Sequence, residues 1–252
     1  MKRSTRLLVL AATVLNCVGA MTVHAAPAIS IGSMFEFLDS DRSTLLKRVR
    51  NNGVSTAFVK VAVSEVKYDA HGRPTEHPVD SAAVGGARGH GMVASPARLI
   101  VPAHGMQASR LLFRGERDVE RYYRVRFMPV VPDKSDDFAM TETEREQYRE
   151  AMSVGVNVLA GYGAFVIVRP KHVQYDTQVT SGDNEFTVAN RGNSTIVLDA
   201  LHHCDAGGEQ CTRPMVHYVL PGAKKAFPKI AGRRYMSQLI EGKHKRDVRL
   251  DQ

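Results

Sequence analysis

Alternating apolar and polar positions dominate the chain, and this pattern predicts β-strands. Runs of this kind are separated by turn residues and occur at residues 44–49, 56–63, 98–101 and 110–113, then at 186–190, 195–198 and 216–220. Asn51-Asn52-Gly53, which closes the first run, is a strong turn signal. Short strands at this spacing predict an all-β protein built from sandwiches, with a domain boundary near Pro170.

A single helix is predicted in the charged segment that follows residues 121–127. Thr141-Glu142-Thr143-Glu144 has the pattern of a capping box, in which the first and last side chains satisfy each other's backbone N–H groups. Residues 145–152 would form the helix. The sequence leaves open whether the surrounding loop, residues 131–152, becomes ordered only when a partner binds.

Residues 154–170 form a run that is unusually long for one strand. Its first half carries an apolar row at Val154, Val156, Val158 and Ala160. An apolar row that extends beyond its own sheet is an aggregation hazard, so lending it to a partner by strand addition is the functional interpretation. An ordinary half-buried core strand would show the same alternation.

The N-terminus has the pattern of a secretory signal peptide over residues 1–25. A basic start precedes an apolar stretch at residues 7–18 and a small-residue cleavage site that ends at Ala25. This stretch is short for a membrane span, and no later segment approaches the required ~20 residues. The pattern therefore predicts an exported protein without membrane insertion, although a lipid anchor on Cys17 is a second possibility.

Removing the signal takes away three basic residues and lowers the formal net charge from +8 to +5. The remaining basic residues are scattered and accompany no nucleic-acid-binding motif. A solvated surface is the better interpretation, and no nucleic-acid partner is expected.

Two cysteines remain after the signal, Cys204 and Cys211. An even pair in an oxidising compartment indicates a disulfide. The neighbouring His202, His203 and His217 offer zinc as the alternative, although zinc sites usually show tighter paired spacing.

Lys47 is predicted to lie on the inward face of its strand, together with Leu45 and Val49. A buried lysine is costly unless it is paired. It could therefore be a cationic anchor that awaits a carboxylate. Alternatively, it could be an edge lysine whose ammonium reaches water.

Several short motifs, in this order, resemble the periplasmic pilus chaperones of the chaperone–usher pathway, in particular the alternative or α-type. They are residues 43–45, 95–102, 120–124 and 190–195, the Cys204/Cys211 pair and residues 218–224. Together they span nearly the whole mature chain.

The resemblance implies two immunoglobulin-like β-sandwiches set in an L with a cleft between them, at residues 26–168 and 169–252. Such chaperones bind pilin subunits, major and tip, that lack their last strand, and they pass them to an outer-membrane usher. They lend an edge strand to the subunit and use neither cofactor nor metal. Self-association of the free chaperone is a further possibility.

The resemblance also assigns roles to individual residues. Val154, Val156, Val158 and Ala160 would be the donor row, and Lys47 would anchor the subunit's terminal carboxylate. The better-known relatives carry a second anchor, a lysine on the donor strand, where this chain has Phe165. Arg169 is expected to form an interdomain salt bridge, with Glu120 as its partner.

The main rival interpretation is a periplasmic copper-binding β-sandwich. His90-Gly91-Met92 and His104-Gly105-Met106 repeat one triplet, and imidazole and thioether groups suit copper. An enzyme is not expected, because the chain contains neither a Gly-x-Ser-x-Gly elbow nor a His-Glu-x-x-His run.

Overall fold

The computed structural model describes residues 26–69, 71–86, 89–154 and 157–250. The strands in these ranges are β1 (Ile29–Ser30), β2 (Phe35–Leu38), β3 (Thr44–Asn51), β4 (Ala57–Tyr68), β5 (Pro74–Pro78), β6 (Gly91–Ser95), β7 (Arg98–Val101), β8 (Met106–Arg114), β9 (Arg121–Val130), β10 (Tyr162–Val168), β11 (Thr177–Ser181), β12 (Glu185–Asn190), β13 (Ile196–Cys204), β14 (Met215–Val219), β15 (Lys224–Pro228), β16 (Arg234–Glu241) and β17 (His244–Arg249). The helices are α1 (Ser81–Gly85), α2 (Glu142–Ser153) and a 3-10 turn (Lys134–Asp136).

The first ten strands form a sandwich of two sheets. One sheet has the order β1-β3-β8-β6, and the other has the order β2-β10-β9-β4-β5, with β7 also paired to β4. Alternate side chains of both sheets meet in a core that includes Val49, Tyr123, Phe127 and Val166. The strands therefore show the inward and outward alternation that the sequence predicts.

The N-terminal segment takes part in both sheets of this sandwich. Strand β1 pairs antiparallel with β3, and after a short crossing β2 pairs parallel with β10. The Phe165 N–H donates to Met34 O at 2.7 Å, which fixes where this parallel pairing begins.

The remaining strands form a second, smaller sandwich. Its sheets have the orders β11-β12-β15 and β14-β13-β16-β17. Phe186, Ile196 and Leu239 belong to its own apolar cluster. This cluster and that of the first sandwich lie on either side of residues 169–170, where the sequence analysis predicts the domain boundary. The all-β class with two sandwiches is confirmed.

A disulfide joins Cys204 and Cys211, as predicted from the compartment. The bond closes the loop between β13 and β14. Cys204 is buried, and Cys211 forms a single bridge outside the named strands.

The predicted helix is confirmed, with the capping box that the sequence indicates. The Thr141 hydroxyl accepts from the Glu144 N–H, and the Glu144 carboxylate accepts from the Thr141 N–H. Tyr148 fixes the helix to the first sandwich, because its hydroxyl donates to Thr56 O at 2.8 Å and its ring meets Phe58 edge-on. Neither this helix nor any other in the described ranges is long and apolar enough to span a membrane.

The prediction of one strand from residue 154 to residue 170 is wrong. Val154 is the C-cap of α2, residues 157–161 have no regular secondary structure, and β10 begins at Tyr162. Val156 lies outside the described residues.

Two features of the hydrogen bonding explain why the strand begins only at Tyr162. The Asn157 amide donates to Met152 O at 2.8 Å and to Val154 O at 3.0 Å, so it caps the C-terminal carbonyls of α2. In addition, extending the β9–β10 register places Pro129 opposite Ala160. Alternation along β9 directs position 129 towards β10, where proline has no N–H to donate.

Candidate functional site

Strand β10 has an open edge at its N-terminal end. Residues Tyr162–Val168 pair with β9, but β2 covers only Phe165–Val168 on the other side. Because the Phe165 N–H points to Met34, the backbone of Gly163 also points away from β9. Within the part of the chain that the structure describes, no strand pairs with β10 on this side between Tyr162 and Ala164.

The chain that leads into this edge is apolar and exposed. Val154 and Val158 have 70% and 73% of their surface exposed, and Ala160 is exposed too. The two valines are the most exposed large apolar side chains of the described residues. The open edge and the predicted donor row are therefore continuous in the chain.

The outer face of the sheet beside this edge is aromatic. Phe165 lies between Phe35, at a centroid distance of 5.8 Å, and Tyr122, at 5.9 Å. Phe35 stacks on Tyr218 of the second sandwich with centroids 4.0 Å apart and an angle of 17°. This cluster joins the two sandwiches. A cleft of about 840 Å³ lies beside it, lined by both of them.

Lys47 lies inward, as predicted, and only 2% of its surface is exposed. Its ammonium donates to Glu36 Oε1 at 2.7 Å and to the carbonyl of Ser33. Ser33 lies in the segment that crosses from β1 to β2, and Glu36 is the second residue of β2, opposite Val166 of β10, so both partners lie where β2 begins to cover β10. Lys47 is therefore a paired buried lysine and not a snorkelling one, and Glu36 already supplies the carboxylate that it needs.

Two arginines on β9 share one carboxylate on the outer face. Arg124 Nε lies 2.9 Å from Glu76 Oε1, and Arg126 Nη1 lies 2.7 Å from Glu76 Oε2. The hydrogen bond from Arg126, helped by the charges of both arginines, lowers the pKa of the Glu76 carboxyl. Glu76 is therefore ionised at neutral pH, and the group of three has an excess positive charge.

The predicted salt bridge between Arg169 and Glu120 is wrong as a direct contact. Arg169 Nε lies 3.0 Å from Asp39 Oδ1, and Arg169 lies over the ring of Phe37. Glu120 accepts hydrogen bonds from the Ser194 hydroxyl at 2.7 Å and from the Thr195 N–H at 2.8 Å. The arginine is buried against the strand to which its own segment pairs, so the nearby Asp39 is the available partner.

The structure does not favour the two metal interpretations. Met92 is fully buried in the core of the first sandwich, so its thioether is not available to a copper ion beside His90. His217 accepts from Lys225 at 2.9 Å, while burial and that lysine lower its pKa. Among the described residues, no group of three or more His, Cys, Asp and Glu side chains could hold a metal ion.

Sequence reasoning did not identify Asn157, Pro129 or Arg124. Asn157 is visible as a polar residue within an apolar row, which is a signal for a cap. Pro129 and Arg124 acquire their meaning only from the register of β9 against β10.

Comparison with known proteins gives the same picture as the geometry. No protein-family model matches the chain. The probable fimbrial chaperone EcpB of Escherichia coli O157:H7 is 25% identical over 211 residues, which are 82% of this chain and 84% of that protein.

Solved structures share the fold over most of their length. The class 5 fimbriae chaperone CfaA has a TM-score of 0.53 at 18% identity, and 88% of this chain and 98% of that one are covered. The E. coli chaperone DraB has a TM-score of 0.54 at 12% identity, with 89% and 98% covered. CsuC of Acinetobacter baumannii, solved in a pre-assembly complex with the tip subunit CsuE of chaperone–usher Csu pili, has a TM-score of 0.51 at 13% identity, with 89% and 98% covered. The resemblance of this chain to fimbrial chaperones is therefore confirmed by its curated relatives, and the solved structures confirm the two-domain chaperone fold.

Proposed function

We propose that this chain is a periplasmic chaperone that binds pilin subunits, major and tip, by lending them a strand, and that it delivers them to an outer-membrane usher. The observation that carries the proposal is the open edge of β10, which continues into an exposed apolar segment. Its curated relatives are named as fimbrial chaperones, which supports the same role.

The donor segment is residues 154–160, with Val154, Val156, Val158 and Ala160 as the row that enters the subunit. In the free chain Val154 and residues 157–160, the described part of this segment, are not held in a sheet, since Asn157 caps α2 and Pro129 withholds an N–H. Pairing with an incomplete subunit would give this backbone the partners that β9 does not. Each valine buried in the subunit's groove contributes about 1.5–3 kcal/mol, so a few of them hold an otherwise unstable subunit.

Lys47 is the proposed anchor for the subunit's terminal carboxylate. A strand that pairs with the open edge of β10 has to end where β2 begins, and the Lys47 ammonium lies beside that point, at Ser33. In this mechanism the terminal carboxylate replaces Glu36 as the partner of the lysine.

Co-expression with the pilin-like proteins encoded beside the gene tests the proposal. The chain purified from the periplasm is expected to carry one subunit, and that subunit is expected to be degraded when it is expressed alone. Val156→Asp and Val158→Asp should each leave a soluble chaperone without bound subunit, because a carboxylate would have to enter an apolar groove.

Val54→Asp is the matched control, because Val54 is an exposed valine in a loop outside the donor segment. If both donor-row variants cap subunits as well as this control does, the donor strand lies elsewhere in the chain. Recovery of the wild-type chain without any subunit would contradict chaperone action itself.

A further inference from the structure

We propose that Arg124 is the second contact for the subunit's terminal carboxylate, in place of the donor-strand lysine for which this chain has Phe165. The inference rests on the proposed function and adds a specific residue to it. The ligand chemistry is the free α-carboxylate at the end of an extended polypeptide strand.

The position of Arg124 relative to the open edge carries the argument. Arg124 belongs to β9, but its side chain lies over Gly163 of β10. Its Cγ and Cδ are 3.8 Å, and its Nη1 3.9 Å, from the place where a Cβ of Gly163 would be. The missing side chain at Gly163 leaves room for the guanidinium to extend across β10 towards the open edge.

Gly163 is also the last position of β10 that an incoming strand can use before β2 covers the edge. Its backbone faces away from β9, whereas Phe165 already donates to Met34. A strand that pairs with this edge therefore ends beside Gly163. The guanidinium of Arg124 lies on the outer face at that point, and Lys47 approaches the same point from within the sandwich.

Phe165 fits a role in positioning the cation rather than supplying it. Phe165 and Arg124 are direct register partners, and the guanidinium carbon lies 5.7 Å from the centroid of the ring. A cation at this distance from an aromatic face is attracted to it. The better-known relatives carry the positive charge on the donor strand, at the position of Phe165. In this chain the charge lies on the neighbouring strand β9, on the arginine that packs against Phe165.

The hydrogen-bonding state of Arg124 leaves capacity for a carboxylate. Both arginines pair with Glu76, Arg126 through Nη1 at 2.7 Å and Arg124 through Nε at 2.9 Å, so the two Nη groups of Arg124 are not the ones that hold Glu76. With two guanidinium groups and one carboxylate, the patch has a net charge of +1 and complements an anionic chain end.

A double-mutant cycle tests this assignment. The chaperone and its Arg124→Gln variant are each titrated with a denatured pilin-like subunit that ends in a free acid or in a carboxamide, and the affinity of each pair is measured. A charge-assisted hydrogen bond to the carboxylate makes amidation cost the wild type about 10- to 100-fold in affinity. If Arg124 shares that group with Lys47, Arg124→Gln loses part of this factor for the acid, and amidation then costs the variant at least about threefold less than it costs the wild type.

Two further variants control the experiment. Arg124→Lys retains the charge and should recover part of the lost affinity. Arg246→Gln removes an exposed arginine of β17 in the second sandwich, and it should keep the full penalty for amidation. The melting temperatures of all variants are compared, so that a folding defect is recognised directly.

Either of two results would overturn the assignment. An amidation penalty in Arg124→Gln that equals that of the wild type would show that another group holds the carboxylate. Equal binding of acid and amide by the wild type would show that no such anchor exists. Neither result affects strand donation, which fails only if the wild type binds no subunit in either form.

Discussion

Arg169 and Glu120 are joined through one hydroxyl group and not by a salt bridge. The Ser194 hydroxyl accepts from Arg169 Nη1 at 2.7 Å and donates to Glu120 Oε2 at 2.7 Å. Glu120 comes from the first sandwich and Ser194 from the second, and all three side chains are buried. The relative position of the two sandwiches thus depends on a hydrogen-bonded network around a buried carboxylate.

Replacing this carboxylate is expected to weaken the connection between the sandwiches. In Glu120→Gln the amide N–H₂ would face the Thr195 N–H or the hydroxyl groups that now donate to Glu120, so at least one donor loses its acceptor. The expected loss in free energy of unfolding is about 1–3 kcal/mol, measured by urea denaturation.

Glu146→Gln is the control, because Glu146 is an exposed residue of α2 whose recorded contact is an ion pair with Arg149. It should change stability by less than about 0.5 kcal/mol. Equal stability of Glu120→Gln and this control would mean that the network contributes nothing to holding the sandwiches together.

The disulfide between Cys204 and Cys211 is expected to stabilise the second sandwich. The two cysteines are seven positions apart, so the bond closes a short loop and contributes no more than about 3 kcal/mol. Cys204→Ser/Cys211→Ser should therefore unfold at a lower urea concentration than the wild type. Reductant should lower the urea midpoint of the wild type towards that of the variant, and it should leave the midpoint of the variant unchanged. An effect of reductant on the variant would contradict this explanation.

The ion pair of Glu76 is expected to make stability depend on pH. Arg126 lowers the pKa of the Glu76 carboxyl below its ordinary value of 4.5, so the folded state binds a proton less readily than the unfolded state. The stabilisation by this ion pair is fully present when the pH is above that ordinary pKa, and it is lost as the pH falls through the lowered pKa of the folded state. Because the pair is partly exposed, its contribution at neutral pH is about 1 kcal/mol or less.

The comparison that checks this is the difference in free energy of unfolding between wild type and Glu76→Gln. It should be largest at neutral pH and should approach zero in the acid range below 4.5. A difference that stays constant over this range would show that the charge of Glu76 is not involved.

Local patterns in the sequence predicted local structure well. The capping box at Thr141 predicts a helix, alternation around Lys47 predicts its inward face, and the structure confirms both. These signals act within a few residues of one another, so they do not depend on which strands become neighbours.

The salt bridge that was predicted wrongly and the contact that was not predicted both involve residues far apart in the chain. Arg169 pairs with Asp39 because β2 runs parallel to β10, and this pairing brings together segments about 130 positions apart. Arg124 lies over Gly163 for a similar reason, because the register of β9 against β10 sets that contact. Neither partner can be chosen from spacing in the sequence.

Asn157 is expected to hold the donor segment against α2 in the free protein. Its amide donates to two carbonyls at the C-terminus of the helix, and Asn157→Ala removes both hydrogen bonds. The loss of about 1 kcal/mol of local stability should speed hydrogen exchange in the last turn of α2 about fivefold. The variant should also capture subunit faster, since the segment no longer has to leave the helix before it pairs.

Asn52→Ala is a suitable control, because it removes one long, exposed hydrogen bond to Ser30 in another loop. It should change neither the exchange rate in α2 nor the rate of capture. Unchanged exchange in Asn157→Ala would mean that the cap does not restrain the segment.

Variants of Lys47 and Glu36 distinguish a structural role of Lys47 from an anchoring role. Lys47→Met leaves the Glu36 carboxylate without its partner, so the variant should lose about 1–3 kcal/mol of stability. The double variant Lys47→Met/Glu36→Gln removes both charges and should regain most of that stability, because no unpaired charge remains.

If Lys47 anchors the subunit, the double variant is stable yet recovers no subunit from the periplasm. Arg48→Met, at the exposed neighbouring position, should behave as the wild type. Normal recovery of subunit by the stable double variant would assign Lys47 to the strand crossing alone and would leave the terminal carboxylate to Arg124.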